Sequence, residues 1–205
     1  MQSFLQMEIL DEPIDIKDAL NAESLVCDDS NSSIEFDNVS FGYGEQLILR
    51  NVSFKVESGK SLAIVGPTGS GKSTIGRLLL RYYDVDSGTI RVAGKEISRV
   101  TAKSLRSNIA VVSQDTVLFN QSIAFNIEYG DICRGPVSMD RIKRAAQQAQ
   151  IADFIEHSPD GYETMVGERG LRLSGGEKQR IGIARALLKG SSIWLLDEAT
   201  SALGL

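Results

Sequence analysis

The sequence predicts an α/β fold in which strands lead into a glycine-rich loop, and a helical middle section leads to a last buried strand. This prediction rests on two kinds of spacing between apolar residues. Apolar residues at every second position, as at Ile34 and Phe36, indicate a strand, whereas apolar residues three and four apart, as at Ile75, Leu78 and Leu79, indicate a helix. Because the two patterns alternate along the chain, the predicted class is α/β with a helical insert.

Residues 1–33 differ from the rest of the chain. They contain Pro13 and end in the acidic and polar run DDSNSS, which predicts a helix end followed by a linker. The main domain is predicted to span residues 34–205. In it the unbroken apolar run Leu62–Val65 favours a strand covered on both faces. The other predicted strands are Val52–Val56, Thr89–Val92, Ile109–Val112 and Ile193–Leu196, and further helices are predicted around residues 139–149 and 181–188.

The composition and charge of the chain narrow the range of functions that it could have. The chain has 205 residues, of which 42% are hydrophobic and 24% charged, as expected of one globular domain with a small subdomain. A net charge of −5 argues against a nucleic-acid or anionic-membrane surface. Only two cysteines, Cys27 and Cys133, are present, which favours a reducing compartment without disulfides. No apolar run approaches the ~20 residues of a membrane helix, so work at a membrane would need a separate anchor.

The glycine-rich stretch that follows Leu62–Val65 fits the pattern G-x-x-x-x-G-K-[ST] of a phosphate-binding loop. Glycines allow successive N–H groups to face phosphate oxygens, and the next helix adds the positive end of its dipole. Lys72 would meet the outer phosphates and the Ser73 hydroxyl would bind Mg²⁺. The alternative is a flexible glycine turn, but the position between a predicted strand and a helix favours phosphate binding. The predicted nucleotide-binding residues here are Gly66, Pro67, Thr68, Gly69, Ser70, Gly71, Lys72, Ser73 and Thr74.

Two acidic residues follow the last predicted strand. Asp197 closes the apolar run Ile193–Leu196 and Glu198 comes next. A carboxylate at the end of a buried strand suits Mg²⁺ binding, and its neighbour could orient an attacking water. By itself this pattern is also a common strand end. The phosphate loop upstream favours the metal-binding interpretation.

The segment LSGGEKQR, from Leu173, has a structural and a functional interpretation. Ser174 and Glu177 have the spacing of a capping box at the start of a helix. Two glycines in the first helical turn cost roughly 1 kcal/mol each relative to alanine, which a cap alone does not require. They would leave open N–H groups where an anion can approach. The segment therefore indicates a second phosphate-facing surface.

Together these motifs resemble those of the ATP-binding-cassette ATPases, in the same order from about Ile34 to Leu203. In that resemblance Tyr43 is similar to the aromatic residue that stacks on adenine, and Gln114 to the Q-loop glutamine. Residues 173–177 resemble the family signature, and 201–203 open the D-loop. The resemblance implies ATP and Mg²⁺ as ligands. It assigns catalytic roles to Glu198, Gln114 and Lys72, metal contacts to Ser73, Gln114 and Asp197, and contacts with a partner's ATP to Ser174, Gly175 and Gly176.

The resemblance also implies an architecture and partners. It predicts a P-loop NTPase core with a RecA-like sheet, an N-terminal antiparallel β subdomain and a helical signature subdomain at about residues 115–188. It further predicts a head-to-tail dimer, in which the signature of one chain covers the ATP held by the phosphate loop of the other. This arrangement would explain the two glycines of LSGGE.

Three further segments are similar to exporter nucleotide-binding domains. They are residues 167–170 and 115–127, which in exporters touch the transmembrane half, and residues 4–19, which resemble the tail that leaves the last membrane helix. The subtype most resembled is the mitochondrial and bacterial half-transporter of iron–sulfur biogenesis and heavy-metal tolerance. The expected location is the matrix face of the mitochondrial inner membrane or the cytoplasmic face of the bacterial inner membrane, through a membrane domain outside this chain.

The sequence departs from the family at its end. The family has a switch histidine on the strand after the D-loop, whereas the single histidine here, His157, precedes the signature, and Gly204 stands where aspartate is usual. The resemblance places the missing strand between the phosphate-loop strand and the strand before Asp197. The expectation is therefore a cassette truncated after the D-loop. One alternative function is a non-hydrolysing fragment that at most pairs with a complete subunit. A soluble family member of DNA repair or translation is disfavoured by the exporter-like segments and the acidic balance.

Overall fold

A computed structural model describes residues 16–113, 115–167 and 170–197. The described residues fall into two compact units, which divide between residues 105 and 106. Helices and strands occur in both units, which agrees with the predicted α/β class. Within the three described ranges, no helix is both long and apolar enough to cross a membrane.

The first unit is built on an antiparallel sheet. Strands β1 (Ile34–Tyr43) and β2 (Gln46–Val56) form a hairpin, β3 (Ser87–Val92) pairs with the other edge of β1, and the short β4 (Lys95–Glu96) follows, so that the order is β2-β1-β3-β4. Helix α1 (Lys72–Leu79) lies between β2 and β3 in the chain. A 3₁₀ turn (Ile97–Arg99) and α2 (Ala102–Ser107) complete the unit and lead into the second.

Apolar side chains fill the core of this first unit. Phe36 on β1 is buried and stacks on Phe54 of β2, with ring centroids 4.5 Å apart. The alternation predicted from Ile34 and Phe36 is thus that of a real strand. Other buried residues of the core are Val39, Phe41, Leu49, Leu78, Ile90, Val92, Ile97 and Val100.

The strand predicted at Leu62–Val65 is wrong for the described structure. These residues lie in no strand, and Leu62, Ile64 and Val65 are 49%, 43% and 88% exposed. A strand persists only when its backbone N–H and C=O groups find partners on neighbouring strands. No strand in the described part of the chain pairs with this run, so its apolar composition alone does not make it a strand. The phosphate loop consequently follows an exposed stretch that is not part of a strand.

The second unit is mainly helical. Its strands β5 (Ile109–Val112) and β6 (Ile193–Leu196) form a parallel pair at the positions the sequence predicts, and the described residues contain this pair of the predicted central sheet. The predicted burial of β6 is wrong for the described structure, because Trp194 and Leu196 are 41% and 50% exposed. Between them lie the helices α3 (Ile123–Glu128), α4 (Met139–Gln148), α5 (Ala152–Glu156) and α6 (Gly175–Lys189), and two 3₁₀ segments, Tyr129–Arg134 and Gly161–Glu163.

Helix α6 anchors the core of the second unit. Ser174 caps its start, Gly190 caps its end, and Ile181, Ala184 and Leu188 recur at helical spacing as buried residues. They pack with buried side chains of α3, α4 and α5 in one apolar cluster, which includes Ile123, Ile127, Ile142, Ala146, Ile151, Ile155 and Val166.

Candidate nucleotide-binding site

The glycine-rich loop of the first unit has the backbone of a phosphate cradle. Gly69 and Gly71 have φ angles of 83° and 90°, in the left-handed region that glycine adopts without strain. Gly71 is the residue before helix α1, so the turn delivers the chain directly into the first helical turn. Residues 61–70 are exposed, and the loop is therefore open to a ligand.

Lys72 lies across this loop. Its Nζ donates hydrogen bonds to the carbonyl oxygens of Gly66 and Pro67, at 2.8 and 2.9 Å. The ammonium group is thus held at the start of α1, where the helix dipole also favours an anion. Ser73 is exposed on the same first turn, whereas Thr74 is buried. The charge, the open N–H groups and the hydroxyl fit a phosphate group and a bound cation.

Tyr43 is connected to the same helix. Arg77 of α1 donates a hydrogen bond to the Tyr43 hydroxyl at 3.1 Å, and Thr74 also hydrogen-bonds to it. Partial burial opposes ionisation of the phenol, but these hydrogen bonds and the Arg77 charge outweigh it and lower the pKa of Tyr43. The ring makes edge-on contacts with Phe41 and Tyr83, with centroids 5.0 and 5.2 Å apart.

The sequence alone did not identify Arg77, or the hydrogen bond between Thr74 and the Tyr43 hydroxyl, as part of the candidate site. The signal was present, because residues three apart on a helix share one face. Thr74 and Arg77 have that spacing and both reach the Tyr43 hydroxyl.

The signature segment begins helix α6 in the second unit. The Ser174 Oγ accepts a hydrogen bond from the Glu177 N–H at 3.3 Å, and the Glu177 carboxylate accepts one from the Ser174 N–H at 2.7 Å. The predicted capping box is therefore confirmed. A Cβ atom added at Gly175 or Gly176 would meet no atom within 4 Å. Packing inside the described chain thus gives no reason for these two glycines.

Asp197 extends the β5–β6 pair. Its N–H donates to the Val112 carbonyl at 2.9 Å, and the residue is exposed at the end of β6, as the sequence predicts. Three other predicted functional positions, Gln114, Glu198 and the D-loop residues 201–203, lie outside the described residues.

The structure connects predicted residues with one another in the first unit. In the first unit Tyr43 is joined to the helix that follows the phosphate loop. In the second unit Ser174, Gly175, Gly176 and Asp197 are surface residues at the start of α6 and the end of β6. No group of three or more potential metal-ligating side chains of His, Cys, Asp or Glu occurs within the ranges described.

Comparisons with known proteins agree with this arrangement. The sequence profile of the ABC transporter family matches residues 49–201. The chain is 52% identical over 196 residues to the ATM1-type heavy metal exporter of Novosphingobium aromaticivorans, covering 95% of this chain and 31% of the exporter. It is 50% identical over 209 residues to the mitochondrial iron–sulfur clusters transporter ATM1 of Debaryomyces hansenii, covering 98% of this chain and 30% of the transporter.

A solved structure is also similar. It is a bacterial Atm1-family ABC exporter with ATP bound, with a TM-score of 0.89 and 49% identity over 98% of this chain and 35% of that chain. The chain therefore belongs to the ABC transporter ATPase family. Its phosphate loop, its capped LSGGE helix and its antiparallel β unit agree with that membership. Its fold is the α/β fold of that family's nucleotide-binding domain, of the Atm1-like exporter type. The chain spans 24% to 31% of the length of the curated relatives it matches.

Proposed function

We propose that this chain is the module that binds and hydrolyses ATP in an exporter related to the Atm1 type. The observation that carries the proposal is the geometry at the start of α1. There the left-handed Gly69 and Gly71 turn the chain into the helix, and Lys72 is held over the loop carbonyls. In a member of this family, that geometry supports binding of a nucleoside triphosphate.

Nucleotide binding would use residues of the first unit. The loop from Gly66 to Thr74 would surround the β- and γ-phosphates, and Lys72 would exchange its carbonyl partners for phosphate oxygens. Tyr43 would stack on the base. Its hydroxyl is fixed by Arg77 and Thr74, so the ring has a defined position relative to the phosphate loop.

Magnesium fits the donor atoms that the proposal assigns to it. The exposed Ser73 hydroxyl and the exposed Asp197 carboxylate are hard oxygen ligands of the kind Mg²⁺ prefers, and the resemblance adds the Gln114 side chain. When bound, the ion would neutralise charge that develops on the transferred phosphoryl group. Glu198 would hold and orient the attacking water.

The signature segment would act on the nucleotide of a second chain. Gly175 and Gly176 leave open space at the start of α6, and nothing within the described chain requires glycine there. A partner's γ-phosphate could approach these N–H groups closely, with Ser174 beside it. The proposal is therefore a head-to-tail pair with two ATP molecules at its interface.

The second proposed partner is the transmembrane half of the exporter. The segment 115–127, which resembles an exporter contact region, exposes large apolar side chains: Val117 is 76% exposed and Phe119 39%. Such exposure suits a protein contact. The proposed location is the matrix face of the mitochondrial inner membrane or the cytoplasmic face of the bacterial inner membrane.

One observation favours a second candidate function, nucleotide binding without turnover. Leu62–Val65, directly before the phosphate loop, is exposed and unpaired with any strand among the described residues. A loop that is entered from an exposed, unpaired run could bind ATP and still position it poorly for reaction. Phosphate release separates the two candidates: slow release that Glu198→Gln abolishes supports hydrolysis, whereas no release by the parent chain supports binding without turnover.

Equilibrium titration with a fluorescent ATP analogue and Mg²⁺ tests the proposal. Lys72→Ala should abolish tight binding, because the phosphates lose their cation. Lys60→Ala is the matched control, since Lys60 is an exposed lysine of the same unit outside the loop. Equal affinity for Lys72→Ala and the parent chain would refute the assignment of the phosphate loop.

A further inference from the structure

Asn126 on helix α3 is a completely buried polar residue with every polar atom engaged. Its Oδ1 accepts hydrogen bonds from the Phe119 N–H at 2.9 Å and from Arg185 Nη2 at 2.7 Å. Its Nδ2 donates to the carbonyls of Phe119 and Ser122, at 3.1 and 3.0 Å. Because a buried amide is costly unless it is paired, this network fixes the backbone of the loop before α3.

Arg185 of helix α6 completes the network. Its Nε donates to the Asn126 carbonyl at 2.5 Å, and its Nη1 donates to the Val117 carbonyl at 2.8 Å. The guanidinium carbon also lies 5.7 Å from the centre of the Phe119 ring and 6.0 Å from that of Tyr129. Burial lowers the pKa of the Arg185 guanidinium. A rigid planar group with several donors can hold three acceptors at once, which a lysine cannot do.

Gly182, three residues before Arg185, makes a second contact with the same loop. A Cβ atom at Gly182 would lie 2.7 Å from the Thr116 Oγ1 and 3.3 Å from its Cγ2, so the loop approaches the bare helix backbone. Residues three apart lie on one face of a helix. Thr116 and Val117 therefore lie along one face of α6, held by packing at Gly182 and by hydrogen bonds at Arg185.

We propose that Gly182 and Arg185 are positioning residues, which fasten the loop of residues 116–121 to helix α6 so that loop and helix move as one body. The N-cap residue of the same helix is Ser174, about 16 Å from Arg185 by helical rise. A displacement of the loop therefore shifts the signature end of the helix. The consequence for pairing rests on the proposed function, since it requires Ser174 to face a partner's nucleotide.

Gly182→Ala tests the packing contact. Helix propensity alone favours alanine, so a purely local effect would stabilise α6. The contact with Thr116 instead predicts that the loop is destabilised, because the new methyl group pushes the Thr116 side chain away. Thr116→Ala in the same chain removes the collision, since the Thr116 Cβ would remain 3.6 Å from the new methyl. Thr116→Ala alone is the control; the Thr116 Oγ1 is buried with no hydrogen-bond partner among the described residues, so its loss strands no partner.

Two measurements are made on each variant in a Glu198→Gln background. Hydrogen exchange reports the loop, through the amides of Phe119 and Gln121, and light scattering reports pairing at saturating Mg-ATP. Gly182→Ala should speed exchange in the loop and weaken ATP-driven pairing roughly 2- to 30-fold, with unchanged ATP affinity of the single chain. The double variant with Thr116→Ala should restore both.

Arg185→Lys tests the hydrogen bonds, with Arg144→Lys on the exposed surface of α4 as its control. It should have the same two effects as Gly182→Ala. Unchanged loop exchange in both variants would overturn the fastening, and faster exchange with normal pairing would overturn its role in positioning Ser174. If the parent chain does not pair with ATP at all, the proposed function fails, while hydrogen exchange still decides whether the loop is fastened.

Discussion

The guanidinium of Arg77 donates a hydrogen bond of 3.1 Å to the hydroxyl of Tyr43. Tyr43 lies at the end of β1 and Arg77 on the helix after the phosphate loop, 34 positions apart in the chain. The bond therefore sets the distance between the proposed base-stacking ring and the proposed phosphate site.

Truncation of this ring should weaken nucleotide binding. Stacking of a base on an aromatic side chain is worth about 1–3 kcal/mol, so Tyr43→Ala should lower ATP affinity roughly 5- to 150-fold. Tyr43→Phe keeps the ring and loses only the hydroxyl and its hydrogen bonds with Arg77 and Thr74, and it should retain most of the affinity. Titration with the fluorescent ATP analogue measures both. Normal affinity in Tyr43→Ala would show that this ring does not meet the base.

A buried ion pair should contribute to the stability of the second unit. The carboxylate of Asp131 is 2% exposed and accepts a hydrogen bond from Arg141 of α4 at 2.8 Å. Arg141→Ala leaves this buried charge without that cation and should lower the free energy of unfolding by about 1–3 kcal/mol. Arg144→Ala, on the exposed side of the same helix, should change it by less than about 0.5 kcal/mol. Urea unfolding of the two variants makes the comparison, and equal losses would exclude a specific contribution of the pair.

The sequence was most informative where structure depends on near neighbours. Ser174 and Glu177 predict their capping box from a spacing of three residues, and the glycines before Lys72 predict the loop that leads into α1. Leu62–Val65 was mispredicted because a strand depends on partners far away in the chain, which an apolar run does not reveal. The Arg185–Asn126 contact is likewise invisible locally, since 59 positions separate the two residues. The positions of Gln114 and Glu198 in the site stay predictions, because both residues lie outside the described ranges.

Hydrolysis by the chain of 205 residues should be slow. Phosphoryl transfer requires a preorganised site, and a single misplaced donor typically costs about 10²–10³ in rate. The phosphate loop follows the exposed run Leu62–Val65, so within the described residues no strand holds the chain that enters the loop. Phosphate release measured with saturating Mg-ATP should be far below the ordinary enzyme range of about 1–10³ per second.

The Glu198→Gln variant shows whether the phosphate released in this assay comes from the proposed site. Any turnover that belongs to the proposed site should disappear in this variant while ATP binding remains. Turnover in the ordinary range by the parent chain would show that the exposed run does not limit the reaction. Release that persists in Glu198→Gln would remove Glu198 from its proposed role.

The central claim is that the LSGGE segment of one chain completes the ATP site of another, and mixing two defective variants tests it most directly. In a Glu198→Gln background, Lys72→Ala removes the phosphate site and keeps the signature. Gly175→Asp keeps the phosphate site and places a carboxylate where the partner's γ-phosphate would lie. Each variant alone should remain at the 22.3 kDa mass of one chain when Mg-ATP is added. Their mixture should form a species of twice that mass, because it contains one complete composite site. A Gly175→Asp chain that pairs with itself, or a mixture that stays monomeric although the unmutated Glu198→Gln chain pairs, would contradict the account.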